Sequence, residues 1–461
     1  MSIYNSVVNT STHKSAVLRR SFRKSFPAAV RGEGVYVWDA GGKRYLDLSG
    51  SAAVNFIGHG VPEISAAIAE QAAKLEFVHT SQFTTPIAEE YAEELLIFAG
   101  DNFRGGCVYF TCGGSESIET ALKLARQYQV EISQPKRYQV ISREQSYHGS
   151  TLGALAVSGN RKRRAVYLPM VKEFAQVCMP YCYRCKFDCT DSCFNCGQRY
   201  AAEVEEAIAE ANGEAAAFIF EPVSGATLGA VTPPPGYLEK VAEICRQRGV
   251  LLIADEVMTG MGRTGRNFAV EHFDVVPDIL VTAKGLSSGY APLGAVIASR
   301  KVVDAIASGS GAFLHGFTYN AHPISLAAGR AVLRFLESRR LVRAADSQKE
   351  GTPAMKLRQA LEGLAGMPAV GDVRGLGMLL GVEFVADKKT KQPFTADKNF
   401  AGRVSQAAAA RGLLVYPMQG SVDGVCGDHL LLAPPAIITE EQIDEGVGHL
   451  CEAIEAAWCQ M

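Results

Sequence analysis

The chain has 461 residues, 20% of them charged and 48% hydrophobic, with a formal net charge of −2. So balanced a charge argues against nucleic acid or an anionic membrane as the main partner. No apolar stretch reaches the roughly 18 to 20 residues of a membrane span, and the length allows more than one domain with a large core. Twelve cysteines without a secretory leader point to a reducing, cytoplasmic setting, where they serve as buried thiols, metal ligands or catalytic groups. Residues 11–24 are basic and free of acids; they read as an N-terminal arm on the body or on a partner subunit rather than a transit peptide. The composition runs on from them without a break into "FPAAVRGEGVYVWDAGGKRYLDLSG".

Between about residues 105 and 300, short apolar runs alternate with amphipathic stretches. The runs predict strands at 108–110, 138–141, 217–220, 251–254, 279–281 and 295–297, with helices at 116–128, 200–211 and 238–247 between them. Continuous apolar strands separated by helices predict an α/β domain, a mostly parallel sheet covered on both faces. Further on, helical patterns at 323–338, 353–365, 400–411 and 440–458 flank strands such as "GMLLGVEF". The organisation expected is a large domain over 71–335, with a Cys-rich insertion at 178–196. A smaller α+β domain then forms from 336–461 together with the N-terminal segment 1–70.

In such sheets ligands sit beyond the carboxyl ends of the strands, so the residues just past each run matter most. After 108–110 comes "TCGGSESIETALKLARQY". Gly113 and Gly114 allow close backbone approach, Ser115 stands where an N-cap would, and Ile118, Ala121, Leu122 and Ala125 mark one helix face. A Gly-Gly-Ser turn into a helix N-terminus is a ready phosphate nest, though it is also what a plain strand–turn–helix with a serine cap requires. After 138–141, "SYHG" offers Tyr147 and His148 for stacking on a flat ligand or for core packing. Glu221 follows 217–220, Asp255 follows 251–254, and Lys284 follows 279–281. A lysine where a strand leaves the core costs desolvation. Five strand ends thus supply a phosphate nest, an aromatic ring, two carboxylates and an amine. That is the set a pyridoxal phosphate enzyme requires: a Schiff-base lysine, an aspartate for the pyridine nitrogen, and a phosphate cradle.

From about residue 30 to 445 the sequence resembles the class III, fold-type I pyridoxal-phosphate aminotransferases. The likeness is carried by "GEGVYVWDAGGKRYLD", "CGGSESIETALKLAR", "YHG", "FEPV", "LLIADEVMTGMGRTG", "PDILVTAKG", "HGFTYNAHP", "VRGLGMLLGVE" and "GDHLLLAPP". The resemblance implies a seven-stranded, mostly parallel sheet in the large domain and roles for individual residues. Lys284 would be the Schiff-base lysine and proton shuttle, Asp255 the partner of the pyridine nitrogen, and Val257 and Tyr147 (beside His148) the two faces of the ring site. Gly114 and Ser115 would hold the phosphate, and Glu221 would lie near substrate. Thr318 would reach the phosphate site of a neighbouring subunit, implying a homodimer, with a tetramer as the alternative. Cys112-Gly113 stands where the family usually has Asn-Ser. The implied reaction is ping-pong transamination of small molecules, an amine donor and a keto-acid acceptor. Racemisation or epimerisation by the same residues is the alternative within the family. A Rossmann-type nucleotide enzyme, the alternative outside it, has no use for Lys284 and would need a G-x-G-x-x-G after the first strand.

Two further expectations concern metal and substrate. Cys182, Cys185, Cys193 and Cys196 form a C-x2-C…C-x2-C pattern, the spacing of a structural zinc site; a reduced, metal-free insertion with the additional Cys178 and Cys189 is the competing expectation. Family members acting on 4-aminobutyrate carry arginines where this chain has Ser150 and Leu430. Neither residue can replace a bidentate arginine–carboxylate contact. The expected donor is therefore an ω-amino acid or simple amine, with pyruvate favoured over 2-oxoglutarate, and Arg374 stands as a candidate to restore one carboxylate contact.

Overall fold

A computed structural model of the chain describes residues 15–22, 25–187 and 193–461. The N-terminal strands β1 (Ala29–Glu33), β2 (Tyr36–Asp39) and β3 (Arg44–Asp47) form an antiparallel meander. The central sheet comes next: β4 (Cys107–Thr111), β5 (Gln139–Arg143), β6 (Gln176–Val177), β7 (Ala215–Phe220), β8 (Leu251–Asp255), β9 (Ile279–Thr282) and β10 (Gly294–Ala298). Its seven strands lie in the order β4-β10-β9-β8-β7-β5-β6. Strand β10 runs antiparallel to both neighbours, and all other pairs are parallel.

The apolar runs alternate between two cores. Phe218, Phe220, Leu252, Ala254 and Leu280 point into one hydrophobic cluster. Ala217, Ile219, Leu251, Ile253, Ile279 and Val281 point into the other. This is why these strands lack polar alternation: successive side chains face opposite sides, and both sides are covered. The amphipathic helix Gly114–Glu131 buries Ile118, Ala121, Leu124 and Ala125 on one face, while Cys193–Glu210 and Tyr237–Arg248 cover the other.

The third sheet contains β11 (Val370–Leu376) and β12 (Leu379–Phe384), joined by β14 (Tyr416–Gln419) and β15 (Asp428–Leu432) in the order β11-β12-β15-β14. A short strand β13 (Leu413–Leu414) leaves that region and pairs in parallel with β3, tying the C-terminal segment to the N-terminal meander. Helices occupy the expected places at Pro323–Ser338, Phe400–Ala410 and Glu440–Trp458. The one expected at 353–365 is helical from Pro353 to Glu362 and tightens into a 3-10 turn at Gly363–Gly366. Among the described residues no helix is long and apolar enough to cross a membrane. Of the N-terminal arm, residues 11–14 and 23–24 lie outside the described residues, as do 188–192 of the Cys-rich insertion.

Candidate active site

Because β4, β5, β7, β8 and β9 are parallel, their carboxyl ends converge on one edge of the sheet. There they open into a cavity of about 530 Å³. The walls include Gly114 and Ser115 from beyond β4, Tyr147 and His148 from beyond β5, Glu221 from beyond β7, Asp255 and Val257 at the end of β8, and Lys284 beyond β9. The structure therefore brings eight of the nine cofactor-binding residues expected from sequence into one cavity.

Lys284 opens a single 3-10 turn, Lys284–Leu286, with a left-handed φ of 44°. Such a conformation is strained for a side-chain-bearing residue and persists where the surroundings impose it, as at ligand sites. The amine faces the cavity and forms no hydrogen bond or ion pair with the described residues. Burial pushes it down to about 8, against an upward pull from the Asp255 and Glu221 carboxylates; Arg263 and Arg163 add to the lowering. A neutral amine near neutral pH is a nucleophile and a proton acceptor.

Asp255 is held from two sides. Its Oδ2 lies 2.7 Å from His148 Nδ1, and its Oδ1 accepts from the backbone N–H of Val257 at 3.1 Å. The Nε2 of that buried histidine has no partner among the described residues. Glu221 is committed to the wall: it accepts from the backbone N–H groups of Gly225 at 2.9 Å and Tyr147 at 3.3 Å. Burial pushes its carboxyl up, with the charge of His148 acting against that shift.

The helix Gly114–Glu131 begins two residues earlier than expected, so Ser115 is its second residue and not its N-cap. Ser115 Oγ instead accepts from the backbone N–H of Ser150 at 3.0 Å. Gly149, at φ 142°, makes this possible, since a Cβ there would come within 2.6 Å of Ser115 Oγ. The unpaired first-turn N–H groups and the positive end of the helix dipole form an anion cradle at the cavity wall.

These groups fit pyridoxal phosphate: an unpartnered lysine amine, a fixed carboxylate, a helix N-terminus and flanking Tyr147 and Val257 line one cavity of suitable size. Thr318 alone stays apart. It is exposed and lines a separate surface recess with His79, Thr80, Tyr109, His315 and Asn320.

Three expectations are corrected. Among the described residues no group of three or more His, Cys, Asp or Glu side chains is placed to hold a metal ion, so the zinc expected at Cys182, Cys185, Cys193 and Cys196 finds no support, although Cys182 lies beside Cys193 with Cys185 and Cys196 nearby. Cys196 packs into the hydrophobic core, Cys193 is exposed, and the Cys185 sulfur accepts from Tyr200 Oη at 3.6 Å; Cys189 lies outside the described residues. Arg374 cannot reach substrate, because its guanidinium is spent on the carbonyls of Leu228 and Gly229 and on Asp372 and Glu383. Leu430 does not face the cavity either; it is fully buried on β15, paired with Val382 and Pro417.

Sequence reasoning missed the segment Gly50–Ala53, where Ser51, Ala52 and Ala53 all take left-handed φ values of 51°, 65° and 61°. Asp47 holds this turn by accepting from the N–H groups of Ser49 and Ser51, and Ala52 lines the cavity. Arg20 and Arg163 also line it. Nothing in a basic run such as "RKRR" marks which side chain turns inward.

Fold and site together fit an enzyme that uses pyridoxal phosphate. The family model for "Aminotransferase class-III" matches residues 19–454, and the chain belongs to that family. It is 39% identical over 445 residues to an uncharacterized aminotransferase of Bacillus subtilis, covering 96% of this chain and 98% of the relative. Among solved structures it resembles a thermostable (S)-enantioselective omega-transaminase from Thermomicrobium roseum, with a TM-score of 0.88, 36% identity and 98% of both chains covered. It also resembles the omega transaminase from Pseudomonas jessenii in complex with PMP, with a TM-score of 0.89, 30% identity and 100% and 99% covered.

Proposed function

We propose that this enzyme moves an amino group from an ω-amino acid or simple amine to a keto acid, with pyruvate favoured over 2-oxoglutarate, in two alternating half-reactions. When bound, pyridoxal phosphate supplies the aldehyde that carries the amino group and the ring that accepts electrons from the donor carbon. The residues of the chain do the rest. Lys284 Nζ would hold the cofactor and, once displaced by the donor amine, carry a proton from the donor carbon and deliver it to the carbon that bore the aldehyde. Asp255, steadied by His148, would keep a proton on the ring nitrogen. Ser115 and the N–H groups of the helix start would fix the phosphate, while Tyr147 and Val257 would confine the ring. Thr318 would serve the phosphate site of a second copy in a homodimer.

The observation that carries this reading is the unpartnered Lys284 amine, at about 8, in the same cavity as the fixed Asp255 carboxylate. The solved relatives named as omega-transaminases support an amine donor. The choice of acceptor rests on Ser150, which stands where relatives acting on 4-aminobutyrate carry a carboxylate-binding arginine and cannot replace it. The test is a comparison of specificity constants for hydrophobic amines with pyruvate against 4-aminobutyrate with 2-oxoglutarate. A clear preference for the second pair overturns the substrate assignment. Accumulation of the amine form of the cofactor, with release of a ketone or aldehyde, separates transfer from racemisation, which returns the amine.

A further inference from the structure

The proposed reaction needs a carboxylate-bearing acceptor, yet the residues expected to grip one are serine, leucine and a committed arginine. Two other nearby guanidinium groups lie outside the cavity lining. Arg263, fully buried, donates to the carbonyls of Ala433, Pro434, Ala53 and Asn55. Arg143 sits behind the wall and donates to the Glu221 carbonyl. Among the described residues only two arginines line the cavity, Arg20 and Arg163, and neither guanidinium has a carboxylate partner there.

The two differ in how they are held. Arg20 is exposed on the N-terminal segment 15–22. Arg163 is half-buried in the short helix Arg161–Arg164, which the Asn160 side chain caps by accepting from the Arg163 backbone N–H at 3.1 Å. One turn of helix spreads the four cations of "RKRR" around its axis. Arg161 turns out toward Glu144 at 3.7 Å, Arg164 turns in toward Glu173 at 4.0 Å, and Lys162 is exposed. Arg163 alone faces the cavity, its guanidinium 4.2 Å from the centre of the Tyr147 ring. A half-buried cation without a counter-charge is costly to keep. This one is also oriented in advance, by the cap below it and the ring beside it. A planar guanidinium fixed in this way matches a carboxylate bidentately and loses little freedom on binding.

We infer that Arg163 is the carboxylate anchor of the substrate cavity, pairing with the keto acid in one half-reaction and with an amino-acid donor in the other, while amines lacking a carboxylate bind without it. This rests on the transaminase reading above and adds the residue that sets the acceptor class.

The test uses the holoenzyme, its R163Q and R163K variants, and R20A. Two quantities are read: the dissociation constant of propionate, a carboxylate that cannot react, and the ratio of specificity constants for alanine and for 1-phenylethylamine in the amine half-reaction. Loss of a charge-assisted hydrogen bond predicts that R163Q weakens propionate binding about 10- to 100-fold and lowers the ratio by a similar factor. R163K, which keeps the charge but loses the fork, falls between R163Q and the parent and covers the case in which R163Q does not fold. Unchanged propionate affinity in R163Q, an equal loss for both donors, or an effect carried by R20A instead would overturn the inference. Failure of the parent enzyme to react with any amine would sink the transaminase reading, while propionate binding would still report on Arg163.

Discussion

The depressed pKa of Lys284 makes a quantitative prediction about how fast the cofactor-free protein captures pyridoxal phosphate. An amine titrating at about 8 is about one-tenth deprotonated at pH 7, against about one part in three thousand for a lysine at 10.5. The nucleophilic fraction is therefore about 300-fold larger than for a surface lysine. The sign comes from the direction of the shift: only the neutral amine attacks, so capture speeds up as pH rises toward 8 and levels off above it. Because Asp255 holds this amine up, Asp255→Asn should move the midpoint below 8. The assay is stopped-flow formation of the Schiff-base absorbance, from about pH 6 to about pH 10, in the parent and in Asp255→Asn. A rate still climbing toward 10.5 would show that Lys284 is not desolvated, and an upward shift in Asp255→Asn would show that the two groups are not coupled as the structure has them.

Lys284→Ala should fold normally by circular dichroism yet lose several orders of magnitude in transamination rate, since it removes both the nucleophile and the proton carrier. His148→Ala deprives the Asp255 carboxylate of its 2.7 Å partner; a fluorescence titration should show cofactor affinity reduced about 5- to 100-fold. Arg374→Ala leaves the buried Glu383 without one of its charged partners. It should cost about 3–5 kcal/mol of stability in denaturant unfolding, with little effect on keto-acid KM in the protein that remains folded.

The central sheet was legible because its strands are buried on both faces, which leaves uninterrupted apolar runs such as 215–220 and 251–254. The two-residue strand β6 and the helices Pro62–Lys74 and Pro86–Ala99 were not read. A strand that short has no pattern, and the first of these helices buries only Ile64 completely. Eight of the expected residues share one cavity because parallel strands deliver the residues just past their ends to one edge, so position in the chain stands in for position in space. Thr318 sits outside that logic, on the loop before the helix Pro323–Ser338, where it lines a separate recess. The Cys-rich segment was harder to read, because spacing alone does not reveal which sulfurs the core will absorb, as it absorbs Cys196. The left-handed turn at Ser51–Ala53 was hidden for a different reason: its conformation is imposed by Asp47 and the surrounding packing, against the local preference of serine and alanine.

The most direct test tracks the bound cofactor through one exchange. Holoenzyme mixed with a hydrophobic amine, without acceptor, should convert its Schiff-base absorbance to that of the amine form while releasing one equivalent of ketone per site, and pyruvate should then restore the original spectrum with formation of alanine. Persistence of the Schiff-base spectrum with every amine offered, or the same exchange in Lys284→Ala at the parent's rate, would contradict the assignment of Lys284 as the residue that drives amino transfer.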